Sequence, residues 1–531
     1  EPSFEPTPDP STEPSATPTA EPTLEPSVEP TAEPSPSSTS EPSAEPSALP
    51  TYSMSPTAEP SLAPTATPDL NQYYHVGTSG NEAFNAVAVD SLNNVYAVGY
   101  TTGTVGTTNY GLNDALFVKY DSSWNVNFTI QVGTSALDAL SCIHITSSDQ
   151  VFVGGVSAGS IYSMTQVGGV DAFFAKYSRD GVLLMSRMVG STGGDYVRVV
   201  TTDSSGNIYL CGYTTGALVG SNAGSNDVFL VRFDSSGTVT LTLQFGTSAD
   251  EDFMSLAVDS SGNMYLVGHT KGSLASSNSG DFDIYLRKYD SSGNVVYTQQ
   301  VGTGGTDMGV SCLLDSSNNV IVTGYVGGQL SGCTKVGSTD GVLLKFDSTG
   351  SNYYRKQFGV SGGFLQVATA AMSTNGFLYV GGSISGTLPG SWNSFGGQFD
   401  AFVAKVNITT GTMTWAYQYG TSAYDFTRGL AFKSNGDYVA VGMTGGHFGT
   451  TGSNAGNFDA FVLTYPQSSP TPPPTPAPSA DPSAEPSAEP SYSHAPSPEP
   501  SAEPSAEPSY EPSAEPSFEP TPDPSTEPSA T

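Results

Sequence analysis

The sequence predicts an all-β fold, a seven-bladed β-propeller of four-stranded antiparallel blades flanked by extended acidic segments. Three observations predict it. One phrase returns seven times at a nearly constant period. Each return carries short apolar runs separated by hairpin turns. The last return is one strand short, and an orphan strand ahead of the first return can supply it.

The phrase opens on Gly-Thr-Ser or a close variant and closes on Asp, three apolar residues, Lys and an aromatic. The openings fall at Gly77, Gly133, Gly190, Gly246, Gly302, Gly359 and Gly420, so the steps are 56, 57, 56, 56, 57 and 61 residues. Self-similarity at such a period is the mark of a repeat architecture. Within repeat 4 the runs FMSLAV, MYLVGH, DIYLRKY and VVYTQQ have the length and β-branched and aromatic content of strands. Asp-Ser-Ser-Gly-Asn joins the first pair and the last pair, and its Gly supplies the positive φ that a tight hairpin turn needs. The connection from the second to the third strand is longer and variable. No segment shows sustained 3.6-residue periodicity, so no helix is predicted.

Four strands in each of seven repeats close radially and leave only short edges. The seventh repeat stops after its third strand, near Pro466. Gln72–Val76 matches the fourth-strand endings TIQV, TLQF, YTQQV and AYQY and is predicted to complete blade 7. The domains follow: a stalk over 1–70, the propeller over 71–466 and a second stalk over 467–531.

Composition separates these parts. Residues 1–69 hold 12 Asp/Glu and 18 Pro, and residues 467–531 hold 11 and 20; neither holds Lys or Arg. All 16 Lys/Arg lie in the middle with 27 acids, so the propeller carries −11 of the net −34. Segments written in Glu-Pro-Ser-Ala lack the apolar surface to offset ordering entropy. Closely spaced Pro favours polyproline II, and like charges extend it. At about 3.1 Å per residue, such a segment reaches on the order of 200 Å. Ser and Thr beside Pro is the composition of O-glycosylated stalks; an unmodified linker is the alternative. Residues 1–17 and 515–531 are identical, EPSFEPTPDPSTEPSAT. That match suggests one period of a tandem array of stalk and propeller, with duplication inside a repetitive tail as the alternative.

Such acidity disfavours nucleic acid and anionic membranes as partners. No run of 18 apolar residues is present to form a membrane span. The chain starts in mid-repeat, from which we expect its native N-terminus to lie upstream. Of four Cys, Cys312 and Cys333 share a repeat and are the candidate disulfide, whereas Cys142 and Cys211 lie on strand patterns as buried thiols.

The phrase G-T-S-x-x-D…A-V-D-S-S-G-N-x-Y-x-x-G…D-A-F-V-x-K-Y-D resembles the β-propeller repeat family SBBP, over residues 72–466. The resemblance implies the propeller fold and an extracellular or surface setting without assigned catalytic activity. It transfers no site residues.

The candidate chemistry is acidic. Every third strand begins with Asp: Asp114, Asp171, Asp227, Asp283, Asp340, Asp400 and Asp459. Six repeats carry a second acid before the first strand, at Glu82, Asp138, Asp195, Glu251, Asp307 and Asp425; repeat 6 has Phe364. Connectivity places both sets on one face. They are either a Ca²⁺-binding face, since hard cations take carboxylate oxygens, or caps on loop N–H groups, which repetition in every blade favours. A cation follows the Asp by five residues in six repeats (Lys119, Lys176, Arg232, Lys288, Lys345, Lys405) and is expected to pair with a nearby acid. The Asp-Ser-Ser-Gly-Asn turns lack the ligand spacing of a Ca²⁺ loop. His75, His144, His269 and His447 occupy unrelated repeat positions and suggest neither a metal cluster nor a catalytic triad. Trp392 and Phe395, in the long loop of repeat 6, are candidates for stacking on sugars. Asn127 and Asn407 head glycosylation sequons.

The function that follows is a non-enzymatic extracellular structural protein, with propeller beads on glycosylated stalks, partnered by other copies of itself or other surface proteins. The alternative is a lectin-like or Ca²⁺-dependent binding module displayed on a stalk, with glycans as partners. No cofactor other than Ca²⁺ is suggested.

Overall fold

The computed structural model describes residues 73–465 apart from 107, 374, 389–395 and 449–453. The stalks, and with them Trp392 and Phe395, lie outside the described residues. Each blade runs through strands a, b, c and d. Blade 1 is β2–β5 (Glu82–Val89, Val95–Thr101, Asp114–Tyr120, Val126–Val132) and blade 2 is β6–β9 (Asp138–Ile145, Val151–Ser157, Asp171–Tyr177, Leu183–Val189). Blade 3 is β10–β13 (Asp195–Thr202, Ile208–Thr214, Asp227–Phe233, Val239–Phe245) and blade 4 is β14–β17 (Glu251–Val258, Met264–Thr270, Asp283–Tyr289, Val295–Val301). Blade 5 is β18–β21 (Asp307–Leu314, Val320–Val326, Asp340–Phe346, Asn352–Phe358) and blade 6 is β22–β25 (Phe364–Met372, Leu378–Ser385, Asp400–Val406, Met413–Tyr419).

Blade 7 takes strands a to c from β26–β28 (Asp425–Phe432, Tyr438–Thr444, Asp459–Tyr465) and strand d from β1 (Tyr73–Val76). There Tyr73 faces Leu463 and Val76 faces Ala460 in an antiparallel ladder. The two ends of the described chain are therefore neighbouring strands of one sheet. All seven sheets are four-stranded and antiparallel, and no helix occurs among the described residues, so none long and apolar enough to cross a membrane does.

Strands b and c are buried along nearly their whole length, whereas strand d starts exposed, as in β5, β13 and β17. The central strands are covered on both faces because blades stack face to face, which is why they are continuous apolar runs rather than alternating ones. The core is accordingly divided among the seams. One cluster joins Val98 and Phe117 of blade 1 to Val153 and Phe173 of blade 2. Another closes the ring, joining Leu116 and Val118 to Val441 and Val462. Strands a form the innermost circle, each in contact with the strand a on either side, from β2 round to β26 and back to β2. Every strand a carries one β-bulge in its pairing with strand b.

Candidate functional site

The opening and the close of the phrase turn out to be one contact. The strand-c Asp of each blade packs on the glycine that opens the next phrase: Asp114 on Gly133, Asp171 on Gly190, Asp227 on Gly246, and so on to Asp459 on Gly77. A Cβ at any of these seven glycines would collide with the carboxylate. This close approach explains why glycine opens every repeat.

The same Asp carboxylates organise the b–c loop. All seven are buried. Asp114 accepts hydrogen bonds from the Tyr110 N–H at 2.8 Å and from Gln131 Nε2 at 2.7 Å. Gln131 also accepts from the Val105 and Gly106 N–H groups and donates to the Gly103 carbonyl. The arrangement repeats with Gln244 on Asp227, Gln300 on Asp283, Gln357 on Asp340 and Gln418 on Asp400. In blade 2 Met188 stands where the others have Gln, and in blade 7 His75 does. This Gln was missed from sequence, although it recurs in the fourth-strand endings TIQV, TLQF, YTQQV and AYQY.

The strand-a acids are tied to the second residue of the phrase. Glu82 accepts from the N–H and Oγ1 of Thr78 and from Thr101 Oγ1, each at 2.7 Å. Thr134 serves Asp138, Ser191 serves Asp195, Thr247 serves Glu251, Thr303 serves Asp307 and Thr421 serves Asp425. All six acids are fully buried. The two sets meet as expected: Gly133 touches both Asp114 and Asp138, and Gly246 touches both Asp227 and Glu251.

Two carboxylates in one dry seam resist ionisation. Burial pushes the Asp171 carboxyl up, with the Asp195 charge adding to it. Asp307 shifts the same way through burial and Asp283. Asp425 is raised to about 6, chiefly by burial, with Asp400 adding to it. One oxygen of Asp114, Asp227, Asp400 and Asp459 lacks a hydrogen-bond donor, and each of these Asp carboxylates lies against the phrase glycine. The carboxylates are spent on loop N–H groups, hydroxyls and Gln amides. Among the described residues no group of three or more His, Cys, Asp and Glu is placed to hold a metal ion. The acidic ring has the form of a cap network.

Three further expectations are corrected or relocated. Cys312 and Cys333 are free thiols. Cys312 is buried on β18 within the seam of blades 4 and 5, and Cys333 directs its Sγ to the Arg355 carbonyl at 3.4 Å. Burial pushes Cys312 up to about 12, which suits a packed thiol. The strand-c cations mostly do not pair with acids. In register they face strand b, where blades 1, 2, 3, 4 and 6 present an aromatic ring. Lys119 lies 5.1 Å from the Tyr96 ring, Lys176 5.3 Å from Phe152 and Lys288 4.8 Å from Tyr265. Lys405 lies 3.4 Å from Phe377, on the a–b turn. Lys119, Arg232 and Lys288 also reach the next blade's c–d turn, at the carbonyls of Arg179, Ser291 and Ser348. Blade 5 presents Ile321 instead of a ring, and there Lys345 forms an ion pair with Asp315 at 2.9 Å.

The histidines are not all separate. The closing strand brings the His75 ring to 4.6 Å from His447, and His75 Nδ1 to 3.8 Å from Asp459. Burial, then His447, lowers His75 to about 4. His144 lies elsewhere, in a cleft beside Thr202, lowered to about 4 by burial. Asn127 and Asn407 are exposed. The Asp203 and Asp259 turns are capped by their own Ser N–H and Asn groups and by the strand-b Tyr hydroxyl.

The SBBP family model, described as a β-propeller repeat, matches residues 186–218, which run from β9 through Gly190 to the loop after β11. Regulatory protein FlaEY of Caulobacter vibrioides is 27% identical over 322 residues, 52% of this chain and 33% of that protein. An uncharacterized WD repeat-containing protein of Acanthamoeba polyphaga mimivirus is 23% identical over 240 residues, 42% of this chain and 15% of that protein. The chain thus spans a third or less of the length of these curated relatives. Among solved structures, the Neurospora crassa Pan2 WD40 domain aligns over 74% of this chain and 96% of its own, at 11% identity and a TM-score of 0.42. The β-propeller domain of the Pyrococcus furiosus Trilobed protease aligns over 73% and 96%, at 10% identity and 0.39.

Proposed function

We propose that this chain is a non-enzymatic structural protein of the cell surface or extracellular space, in which rigid propeller beads alternate with extended, glycosylated acidic stalks. The observation that carries it is the identity of residues 1–17 with residues 515–531, at an offset of 514. A segment that returns after a whole stalk–propeller unit is what a tandem array produces. The ring geometry supports the same reading. Tyr73 and Tyr465 lie at the same end of neighbouring strands, so the chain enters and leaves the bead through one blade. An array built this way loads the velcro of blade 7 and leaves the other six blades free. The most regular residues of the repeat supply a further argument: the carboxylates are engaged in tying the loops to their own blades, and none is poised for acid–base or nucleophilic work.

Sequencing the full-length transcript tests the array. Further stalk–propeller units in register with the 514-residue offset support it, and one propeller between unrelated flanks overturns it. Intact mass of native material tests the setting: mass in excess of the polypeptide, lost on deglycosylation, supports glycosylated stalks, and the bare polypeptide mass overturns them.

A further inference from the structure

At three seams of the ring a strand-c cation crosses to the next blade and holds its c–d turn. Lys119 donates to the Arg179 carbonyl at 2.9 Å, Arg232 to that of Ser291 at 2.7 Å and Lys288 to that of Ser348 at 3.1 Å. In the same three blades the strand-b ring is a Tyr whose hydroxyl donates to the Asp of the a–b turn. Tyr96 reaches Asp90 and Tyr209 reaches Asp203 at 3.0 Å, and Tyr265 reaches Asp259 at 3.2 Å. Blade 2 keeps the cation and lacks the rest. Phe152 has no hydroxyl, and Thr146 stands where the turn Asp stands in those blades. Ser235 is the counterpart of Arg179, Ser291 and Ser348, yet Lys176 makes no hydrogen bond to it.

The missing interlock leaves a cleft of about 550 Å³ between blades 2 and 3, a volume in the range of small-ligand sites. Both a–b turns line it, together with Lys176 and Ser235. It adjoins a second hollow of about 290 Å³, with which it shares Ile145, Thr146 and Ser147. In blade 6, where Ser373 replaces the turn Asp, the Phe377 ring comes to 3.4 Å from Lys405. The counterpart of Phe377 in blade 2 is Gln150, which lines the cleft instead.

The lining has a definite chemistry. Lys176 is half-buried, with Nζ 5.3 Å from the Phe152 ring, and forms neither a hydrogen bond nor an ion pair with a described residue. The acids nearby are taken. Asp203 accepts from Ser205 and Asn207 of its own turn and from Tyr209, and Asp149, in the second hollow, is paired with Arg179. Ser147, Ser204, Ser205 and Ser235 give their hydroxyls to no described residue, and each can both donate and accept. Ile145 and Phe152 add apolar surface, which suits the C–H face of a sugar ring. An ammonium without an acid, set among free hydroxyls, matches a carboxylate carried on a polyhydroxylated body.

We propose that the cleft between blades 2 and 3 binds an acidic saccharide, with its carboxylate on Lys176 and its hydroxyls on the serines of the two a–b turns. The proposal stands whether or not the chain is a unit of an array.

The test titrates the full chain by calorimetry at constant ionic strength. The probes are uronate disaccharides of the gluco, galacto and manno series, their neutral counterparts, sodium acetate and a synthetic Glu-Pro-Ser-Ala peptide. Saturable binding of at least one uronate disaccharide, ~10-fold or more tighter than its neutral counterpart and than acetate, is the expected result. Lys176→Gln should remove that preference and leave binding of the neutral sugar unchanged. Thr146→Asp combined with Phe152→Tyr copies the blade 1 interlock into blade 2 and should abolish binding while the protein stays folded by thermal unfolding. This pair decides the question if Lys176→Gln fails to fold. No saturable binding of any uronate, equal affinity for neutral and acidic sugars, tighter binding of the peptide than of every uronate, or unchanged affinity in the variants overturns the proposal.

Discussion

Blade 6 solves with apolar side chains what the other six blades solve with buried acids. In those six, the second residue of the phrase is Thr or Ser and holds a carboxylate four residues on, as Thr421 holds Asp425. In blade 6 both change together, to Val360 and Phe364. Val360 is buried in the seam of blades 5 and 6, and Phe364 meets the Phe399 ring edge-on at 5.4 Å. The difference teaches what the acid is for. A buried carboxylate with every donor in place and an apolar pair of similar shape are near-equal solutions, whereas half of either is costly.

Breaking one half should therefore have the largest effect. Asp425→Ala leaves the Thr421 N–H and the hydroxyls of Thr421 and Thr444 without their acceptor. The expected loss is about 3 kcal/mol in urea unfolding. Adding Thr421→Val and exchanging the Ala for Phe copies the blade 6 solution into blade 7 and should recover at least ~1 kcal/mol of that loss. Strict additivity of the two positions would show that they are not a unit. Phe364→Asp alone, facing Val360 without a hydroxyl, should be at least as damaging as Asp425→Ala.

The comparison also predicts a pH dependence. The Asp425 carboxyl has a folded pKa of about 6 against 3.8 for the free group, so the folded state holds the proton more tightly. Its contribution to stability is present in full below 3.8 and is lost as pH rises through about 6, by roughly 3 kcal/mol. Asp171 and Asp307 shift in the same direction. The turn acids oppose them at lower pH. Asp315, held at about 2 by its Asn319 and Lys345 partners against the cost of burial, contributes stability that is lost as pH falls through that value. Thermal midpoints should peak near pH ~4 to 5 and decline toward neutrality. Asp425→Asn should flatten the slope between ~pH 4 and 6, while Phe364→Leu, in the blade that has no such acid, should leave the slope unchanged.

Much of this was legible from the chain. Period, turn chemistry and the missing strand determine blade number and strand order because each is local and repeated. The acids were visible, and so was the departure at Phe364. What stayed hidden was the pairing between repeats. Asp114 and Gly133 look like the end of one phrase and the start of the next, yet they meet within one blade, one step beyond the Ala115–Val132 pair of the β4–β5 ladder. Their constant separation was the available signal. The cations misled because charge suggested acids as partners, whereas strand register places the ring of Tyr96 opposite Lys119. The meeting of His75 with His447 depends on ring closure and has no counterpart in the other repeats.

The cations supply the smallest and most discriminating test. In blade 1 Lys119 is buried beneath the Tyr96 ring and donates to the Arg179 carbonyl, neutral partners whose attraction salt barely screens. In blade 5 the ring is replaced by Ile321, and Lys345 relies on the Asp315 carboxylate at a partly exposed site. Lys345→Met should cost about 0.5–1 kcal/mol at low salt, and less than half of that once NaCl reaches ~0.5 M, where the screening length is a few ångströms. Lys119→Met should cost ~1 kcal/mol at both salt concentrations, since it removes a cation–π contact and one hydrogen bond to a neutral acceptor. Restoring the ring with Ile321→Tyr should make the blade 5 cation as insensitive to salt as that of blade 1. If the cost of Lys345→Met stays salt-dependent in that background, the strand-b ring does not set how the cation is held.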